Sequence, residues 1–389
     1  MDSELFYAIA LGILLSQGVA TAILLSRLLK GAMRRDPLQP QPANPNLIGK
    51  VSVVVPTLNE ATRITPCLQG LSSQSYELRE AIIVDSDSQD GTQEIVKASA
   101  AADPRFRLIT DDPLPTSWIG RPWALHTGYL HSSPKSEWIL GIDADTQPQA
   151  GLIASLIIVA EAEGYDLVSL APQFVLQYPG EWWLQPALLM TLLYRFDSAG
   201  VNAANPTRVM ANGQCFLCRR SVLEKLDGYT TAASSFCDDV TLARNIAAAG
   251  YKVGFLDGSK VIKVRMYEGA KETWNEWGRS LDLKDAADSA QVWGDVLFLF
   301  CVQALPLPLI LISLYQLNSD NNSVTILALL GLNLFLLLLR WGMLIAIAPS
   351  YSGSSFCFWL SPFADILAVL RIFLSSLQQP TSWRGRTYS

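Results

Sequence analysis

Short apolar runs alternate with polar loops in the middle of the chain, and long apolar runs occupy both of its ends. In the middle part, the apolar residues 51–56 and 81–85 predict two buried strands, and residues 93–102 predict a helix. A third apolar run at 138–142 predicts a buried strand of a parallel sheet. This repetition of strand and helix predicts the α/β fold class.

The same pattern continues toward residue 264. Residues 151–163 predict a helix, 166–176 a strand, and 212–228 a strand followed by a helix. The segment EWWLQPALLMTLLYRF, residues 181–196, is apolar on most of its surface but only about four helical turns long, too short to cross a bilayer. We expect it to lie in the membrane interface, and a buried core helix is the alternative.

The N-terminal apolar run, residues 5–29, is long enough to cross a bilayer. Arg27, Lys30, Arg34 and Arg35 cluster at its far end, so the positive-inside rule predicts an integral membrane protein whose following domain is cytoplasmic. A cleaved signal peptide fits poorly, because its positive charge would precede the apolar run.

The C-terminal part contains an amphipathic, tryptophan-containing stretch and then three apolar runs, at 296–317, 324–348 and 356–377. Basic residues recur in the tail after these runs, so we expect that one of the three does not fully cross the membrane. The third run is interrupted by Pro362, Asp365 and Arg371, and the first contains two prolines. Either run can therefore be the incomplete one.

These patterns predict a division of the chain into an N-terminal transmembrane helix (1–35), a Pro-rich linker (36–49), an α/β domain (50–264), an interfacial segment (265–294), C-terminal membrane segments (295–378) and a cytoplasmic tail (379–389). The chain of 389 residues is 50% hydrophobic and 16% charged, which is too apolar for an ordinary soluble protein. The net charge of −6 and the absence of a basic stripe argue against nucleic acid as a partner. Cys215 and Cys218 have zinc-knuckle spacing but no second pair nearby, and we interpret them as buried strand thiols.

Asp143 and Asp145 follow the strand predicted at 138–142, separated by one residue. Open α/β sheets bind ligands beyond the carboxyl ends of their strands, and hard divalent cations prefer carboxylate oxygens. The pair therefore favours a metal that holds a phosphorylated ligand, with a solvated acidic turn as the alternative. Neither GxGxxG nor GxxxxGK[ST] occurs in the chain, so phosphate would be held in another way, for instance through a metal.

Four motifs in this order resemble those of the family-2 glycosyltransferases: VVVPTLNE (53–60), IIVDSDSQDGT (82–92), GIDADT (141–146) and FCDDVTLARNIAAAGYKV (236–253). The resemblance covers about residues 50–280 and implies a GT-A nucleotide-sugar fold, which is Rossmann-like, joined to α-helical transmembrane segments. LPTSWIGRPWAL (114–125) and TSWRGRTY (381–388) narrow it to the membrane-bound branch that acts on lipids such as ceramides, hopanoids and carotenoids. EWGRSLDLKDA (276–286) resembles the cyanobacterial carotenoid 2′-O-glycosyltransferases of the myxoxanthophyll pathway.

The resemblance implies roles for residues on the donor side. Those of the nucleotide-sugar site are Pro56, Thr57, Asn59, Glu60, Asp85, Arg121 and Asp143. Within this set, the resemblance implies that Asp85 accepts a hydrogen bond from the nucleotide base and that Asp143 lies near the ribose. Arg121 stands where relatives often have lysine. Asp145 is the implied ligand of Mg²⁺ or Mn²⁺ on the diphosphate. An ordinary turn residue is the alternative for Asp85.

On the acceptor side, the resemblance makes Asp239 the catalytic base, with a helix cap as the alternative. The residues implied near the acceptor or a gate are Asp238, Trp277, Arg279, Trp383, Arg384 and Arg386. The Gln/Arg-x-x-Arg-Trp motif of related enzymes is not intact here, which argues against a processive polysaccharide synthase. For the tail, adhesion to the membrane surface is the alternative to a gating role.

The implied activity is inverting, metal-dependent transfer of one sugar from a nucleotide sugar, GDP-fucose or a UDP-hexose, to the hydroxyl of a membrane lipid. A carotenoid with a myxol-type 2′-hydroxyl is the expected acceptor. A sphingolipid or hopanoid acceptor is one alternative, and a non-catalytic membrane scaffold that binds nucleotide sugars is another. The motifs leave the donor base and sugar open.

Overall fold

A computed structural model describes residues 3–201, 205–277, 281, 283–318, 323–377, 382–383 and 386–387. The described chain forms two compact units. The α/β unit comprises Arg34–Val175, Ser198–Met266 and Pro380–Ser389, and the helical unit comprises Met1–Met33, Leu176–Asp197 and Tyr267–Gln379. The segment 176–197, which the sequence pattern places inside the α/β domain, groups with the helical unit.

The elements are numbered in chain order across both units. The helices are α1 (Ser3–Gly31), α2 (Ile64–Ser72), α3 (Thr92–Ala102), α4 (Gly120–His131), α5 (Leu152–Glu163), α6 (Pro179–Arg195), α7 (Arg220–Lys225), α8 (Asp238–Ala248), α9 (Gly269–Glu272), α10 (Ser289–Leu299), α11 (Pro306–Asn318), α12 (Val324–Ile347), α13 (Phe356–Trp359) and α14 (Asp365–Leu377). The strands are β1 (Val51–Thr57), β2 (Leu78–Asp85), β3 (Phe106–Thr110), β4 (Trp138–Ile142), β5 (Thr146–Pro148), β6 (Leu167–Ala171), β7 (Gln173–Val175), β8 (Cys215–Arg219), β9 (Val253–Asp257), β10 (Ile262–Val264), β11 (Tyr351–Ser352), β12 (Ser382–Trp383) and β13 (Arg386–Thr387).

The main sheet of the α/β unit has the strand order β3-β2-β1-β4-β8-β6-β9. Strand β8 runs antiparallel to both of its neighbours, and the other pairings are parallel. The chain builds outward from β1 through β2 to β3 and then returns to place β4 on the other side of β1. The predicted α/β fold class is confirmed, and the order reverses between β1 and β4, where open sheets form ligand crevices.

Both faces of the main sheet are covered, which explains the continuous apolar runs. Every residue of β1 and β4 is buried, and separate hydrophobic clusters pack on the two sheet faces. Helix α4 approaches β1 closely at Gly128, where any side chain would collide with a methyl group of Val54. This close packing fixes the helix that carries Arg121 near its first turn.

The segment 166–176 is not the single strand that the pattern predicts. It forms β6 and then β7, which pairs with β10 outside the main sheet. Pro172 lies between the two strands and cannot donate to a strand ladder, so the pairing changes there.

In the helical unit, two helices within the described residues are long and apolar enough to cross a membrane, Leu5–Gly31 and Val324–Ser350. The pair Ser289–Ala304 and Pro306–Asn318 passes the same criterion jointly but bends by 48°. The third C-terminal run is broken into α13, the 3₁₀ turn Ser361–Ala364 and α14. Helix α14 has 13 residues, which is shorter than the ~20 residues that a spanning helix needs.

Helix α6 is a core helix of the helical unit, so the expectation of an interfacial helix is wrong. It is buried along most of its length from Glu181 to Arg195. The Glu181 carboxylate accepts from the backbone N–H groups of Gln177 and Gly269, each at 2.7 Å. The Arg195 guanidinium donates to the carbonyl oxygens of Thr191 and Leu281. Its apolar surface therefore packs against protein, and its charged ends are satisfied internally.

A buried ion pair joins α12 to α14. Arg340 and Asp365 are each 3% exposed, and the guanidinium Nε lies 2.9 Å from one carboxylate oxygen. Gln303 donates to the same carboxylate at 3.0 Å and to the carbonyl oxygen of Ala187 in α6. The pair and Gln303 thus join α12 and α14 to α6 and to the π-helical turn Phe300–Ala304.

Replacement of Asp365 by alanine leaves the Arg340 charge buried without its carboxylate. Removal of one partner of a buried ion pair lowers the free energy of unfolding by about 3–5 kcal/mol. We expect Asp365→Ala to lower the Tm of the detergent-solubilised protein markedly. The matched control is Arg340→Met combined with Asp365→Leu, which removes both charges and should retain most of the Tm. Equal losses in the two variants would show that the unpaired charge is not the cause.

Candidate functional site

The residues of the candidate site converge on one edge of the main sheet. β1 ends at Thr57 and β2 at Asp85, and these two residues are register partners. Asp143 and Asp145 follow β4, which pairs with β1 on its other side. Since β1, β2 and β4 are parallel, their carboxyl ends meet at the edge where such sheets bind ligands.

Asp85 is a buried carboxylate that is held by three donors. It is 2% exposed, and its Oδ1 accepts from the Thr57 hydroxyl at 3.2 Å. Its Oδ2 accepts from the Ser88 N–H at 3.0 Å and from the Gln93 side chain at 2.8 Å. The bond from Ser88 closes a turn. A role in this turn is therefore compatible with the predicted role of Asp85 as an acceptor of a hydrogen bond from the nucleotide base.

The loop after β1 is tied to the loop after β2. Asn59 has a φ of 55°, a left-handed conformation that asparagine tolerates better than most residues. Its side-chain oxygen accepts from the Gln89 N–H at 2.9 Å, and its own N–H donates to the Ser88 hydroxyl at 2.9 Å. The N–H of Glu60 donates to Thr92 Oγ1 at 2.9 Å. Pro56 is buried in β1 directly before this loop.

The Arg121 guanidinium joins three separate parts of the chain. Its Nε and Nη2 donate to Asp143 Oδ1 at 3.0 and 2.8 Å. Its Nη1 donates to Asp238 Oδ2 at the start of α8. Its Nη2 also donates to the carbonyl oxygen of Gly213 at 2.8 Å. The structure therefore brings Asp238 to Arg121, a contact that the sequence motifs did not predict.

The motif around Arg121 explains why this residue is held so firmly. Trp118 precedes the N-cap Ile119, and its ring packs edge-on against Trp123 at 5.2 Å between centroids. These are the two positions of a hydrophobic staple, which fixes how a chain enters a helix. The N–H of Ile119 also donates to the carbonyl oxygen of Ala233 at 2.8 Å. The first turn of α4 is thereby attached to the loop that leads to α8.

Asp239 lies in the first turn of α8 and is held by two backbone donors. Its Oδ2 accepts from the N–H of Gly213 at 2.6 Å, and its Oδ1 from the N–H of Val240 at 2.8 Å. Cys237, not Asp239, is the N-cap residue of this helix. The positive end of the helix dipole stabilises the carboxylate there. These contacts orient Asp239 without using both lone pairs of either oxygen.

The cluster carries more carboxylates than cations. Burial raises the pKa of Asp238 to about 7 and also raises the pKa of Asp239, while Arg121 acts in the opposite direction on both. Burial alone would lower the pKa of Arg121, but Asp143, Asp238 and Asp239 hold it well above its usual value. Arg121 is therefore the charged partner that permits ionised carboxylates at this edge.

Asp145 fits a metal that arrives with a phosphorylated ligand. The Asp-Ala-Asp turn is closed by Thr146, whose hydroxyl donates to the carbonyl oxygen of Asp143 at 2.8 Å. Among the residues that the structure describes, no group of three or more His, Cys, Asp or Glu side chains could hold a metal ion. Mg²⁺ is commonly bound by one or two carboxylates together with substrate phosphates. The donor set here matches that arrangement.

The remaining predicted residues belong to other parts of the chain. Trp277 belongs to the helical unit, where it ends the π-helix Thr273–Trp277 and is buried. Arg279 and Arg384 lie outside the described residues. For Trp383 and Arg386 only the backbone is described, and these two residues pair across β12 and β13. Their acceptor or gating roles stay predictions.

Gly213 is the residue of the cluster that the motif reading missed. It follows Asn212 just before β8, and its peptide group contacts both Arg121 and Asp239. An Asn-Gly pair is a turn signal, so a tight loop could have been expected at the start of the segment 212–228. Its contact with the two charged side chains depends on folding. Cys215 and Cys218, in contrast, are buried in β8 as predicted.

Removal of Arg121 leaves its carboxylate partners without their cation. We expect Arg121→Ala to lower the Tm more at about pH 8 than at about pH 5, because Asp238 and Asp239 take up protons as the pH falls and their repulsion is lost. The measurement is the Tm difference from wild type across this range. Lys135→Ala, at an exposed lysine, is the control and should give a difference that is independent of pH. A pH-independent loss for Arg121→Ala would contradict this account.

Comparisons with known proteins identify sequences and a structure that are similar to this chain. Residues 52–227 match the family model described as "Glycosyl transferase family 2". A "4,4'-diaponeurosporenoate glycosyltransferase" of Staphylococcus haemolyticus is 27% identical over 234 residues, 59% of this chain and 60% of that protein. "Glycosyltransferase AglE" of Haloferax volcanii is 32% identical over 120 residues, 30% of this chain and 38% of that protein. The chain thus spans less than two thirds of the length of both relatives.

A solved structure shares the fold over nearly the whole chain. It is described as "Mannosyltransferase PcManGT from Pyrobaculum calidifontis in complex with GDP-Man and Mn2+". The TM-score is 0.54 at 19% identity, covering 95% of this chain and 98% of that one. The sheet order and this shared fold lead to one conclusion: the chain has an α/β fold of the GT-A type, and its residues 52–227 are similar to the glycosyl transferase family 2.

Proposed function

We propose that this protein is an inverting, metal-dependent glycosyltransferase that moves one sugar from a nucleotide sugar to a hydroxyl group of a membrane lipid. The observation that carries the proposal is the cluster in which Arg121 joins Asp143 to Asp238 while Asp239 is held beside it through Gly213. This cluster lies at the sheet edge where open α/β sheets bind ligands, and Arg121, Asp143 and Gly213 fall within the residues similar to the glycosyl transferase family 2.

Transfer with inversion needs a base for the acceptor hydroxyl and an anomeric carbon held in line with it. In this proposal Asp239 takes the proton as the acceptor oxygen forms its bond to the anomeric carbon and the bond to the diphosphate breaks. Its raised pKa makes it a better base than an exposed aspartate. A second acid is not required, because a nucleoside diphosphate with neutralised charge leaves without protonation.

The other residues position the donor. Asp85 would accept a hydrogen bond from the nucleotide base, and Asp143 would lie near the ribose. Thr57, Asn59 and Glu60 lie at the end of β1 and in the loop after it. Asp145 would hold Mg²⁺ or Mn²⁺, which supplies relief of charge on the leaving diphosphate when it is bound. Because an aspartate is a weak base, positioning carries much of the rate, and it can supply ~7–11 kcal/mol in favourable cases.

The membrane acceptor is supported by the apolar helices of the chain. Two helices among the described residues are long and apolar enough to span a bilayer. The basic residues at the end of α1 and after it favour a cytoplasmic catalytic domain, which is part of this proposal. The staphylococcal relative is named for diaponeurosporenoate, a carotenoid-like acceptor, which supports a carotenoid. The narrower match to myxol-type acceptors stays a prediction, as do the interfacial segment 265–294 and the six-part division of the chain.

The direct test is transfer in membranes that contain the protein. Membranes with Mn²⁺ or Mg²⁺ are incubated with labelled GDP-fucose, GDP-mannose, UDP-glucose or UDP-N-acetylglucosamine and a hydroxylated carotenoid or a ceramide. Label in the extracted carotenoid supports the proposal in full. Label in ceramide or another lipid removes the carotenoid assignment, and binding of nucleotide without transfer to any lipid favours the scaffold alternative.

Asp239→Asn should abolish transfer and leave nucleotide binding intact, because the amide keeps the shape of the side chain but cannot accept the proton. Turnover and calorimetric binding of UDP and GDP measure the two effects separately. The control is Glu94→Gln, which neutralises a carboxylate that is 73% exposed on α3 and should leave both unchanged. Substantial turnover in Asp239→Asn would assign the base elsewhere.

Asp145→Ala should remove the gain in nucleoside diphosphate affinity that Mn²⁺ gives to the wild type, because a carboxylate ligand of the cation is lost. Calorimetric titration with UDP and GDP, with and without Mn²⁺, measures this gain independently of catalysis. The same Glu94→Gln control applies. A gain as large as that of the wild type would refute the ligand role of Asp145.

A further inference from the structure

We propose that Gly213 is a positioning residue for sugar transfer, whose peptide group holds Arg121 at one end and Asp239 at the other. This inference rests on the proposed function and adds a residue that no sequence motif assigned. Gly213 itself has no side chain that could act on a substrate. Its role is to fix the distance between the guanidinium of Arg121 and the carboxylate of Asp239, the proposed catalytic base.

The peptide of Gly213 completes a chain of hydrogen bonds across the site. Arg121 Nη2 bonds both to Asp143 Oδ1 and to the Gly213 carbonyl oxygen, each at 2.8 Å. The Gly213 N–H then donates to Asp239 Oδ2 at 2.6 Å. A carboxylate assigned to the donor is thereby connected to the assigned base through one guanidinium and one peptide.

Space explains why this position needs glycine. A Cβ at Gly213 would lie 2.8 Å from Arg121 Cζ and 3.0 Å from Nη1, with Nη2 nearer still. The guanidinium cannot easily give way, because Asp143 and Asp238 hold it from two sides. Gly213 is not among the glycines with positive φ in the described chain, so alanine suits the backbone itself. The substitution would therefore act mainly through Arg121.

The loop around Gly213 is anchored to the sheet and cannot simply move away. The Asn212 N–H donates to Ser169 Oγ at 2.7 Å, and this hydroxyl donates back to the Asn212 carbonyl oxygen at 2.9 Å. Ser169 is fully buried in β6. The Asn212 side-chain oxygen accepts from the Gln214 N–H at 2.9 Å. Both neighbours of Gly213 are thus fixed, and strain introduced at this residue is directed at Arg121.

The test is a double-mutant cycle between Gly213→Ala and Arg121→Lys in the full-length protein, read as kcat and donor KM. Gly213→Ala alone should reduce kcat by up to ~10²-fold, as expected for a misplacement of about 1 Å, with a smaller change in KM. In the Arg121→Lys background, Gly213→Ala should reduce kcat by a factor less than about a tenth of the factor seen in the wild type, because the colliding guanidinium is absent. Gly294→Ala, where an added Cβ has nothing within 4 Å, is the control and should leave kcat unchanged.

If the reduction of kcat in the double variant equals the product of the reductions in the two single variants, the proposal is overturned. An effect of Gly213→Ala on KM alone would also overturn it. If Gly213→Ala does not fold, Ser169→Ala serves instead, because it releases Asn212 and should lower kcat several-fold in wild type but not in Arg121→Lys. An equal effect in both backgrounds would again contradict the role. Wild-type membranes that transfer no sugar overturn the proposed function itself, whereas wild-type transfer with independent costs overturns only the role of Gly213.

Discussion

The bonds of Arg121 to Asp143, Asp238 and Gly213 turn distant stretches of the chain into one site. Buried carboxylates repel each other and lose hydration, so they can gather only where a cation compensates them. Arginine suits this position because its planar guanidinium has five donors and cannot lose its charge. The loop after β4, the start of α8 and the loop before β8 are therefore joined by a single side chain.

That side chain is in turn positioned by the packing of the α/β unit. Helix α4 lies against β1 because Gly128 leaves room for Val54, and its first turn is fixed by the pair of Trp118 and Trp123. The parallel strands bring Thr57, Asp85 and Asp143 to the same edge, since their carboxyl ends point the same way. The site is thus a consequence of sheet topology, with Arg121 as the element that connects its acids.

The helical unit follows a related rule with different groups. Gln17 in α1 and Asn333 in α12 exchange side-chain hydrogen bonds at 2.9 and 3.1 Å. Arg340 and Asp365 pair in the same unit, with Gln303 as a third partner. Apolar helices have many equivalent ways to pack in a lipid environment, so buried polar groups that need partners help to select which helices meet. Few such residues are needed, because each unpaired group would be costly.

The sequence by itself determined the α/β fold class and most element boundaries, because these follow from local apolar periodicity. It also located Asp143 and Asp145 after a strand and Asp239 at a helix start, while their roles stay predictions. It placed β4 at the residues observed, since a fully buried strand has a continuous apolar pattern. The tertiary structure decided what local patterns do not encode. It placed α6 in a core and divided the segment around Pro172 between two pairings, because burial and pairing depend on the partners that folding supplies. It also decided that Arg121 binds Asp238, 117 residues away, and that the Gly213 peptide lies between Arg121 and Asp239. Contacts between residues so far apart in the sequence form only when the sheet has folded and brought them together.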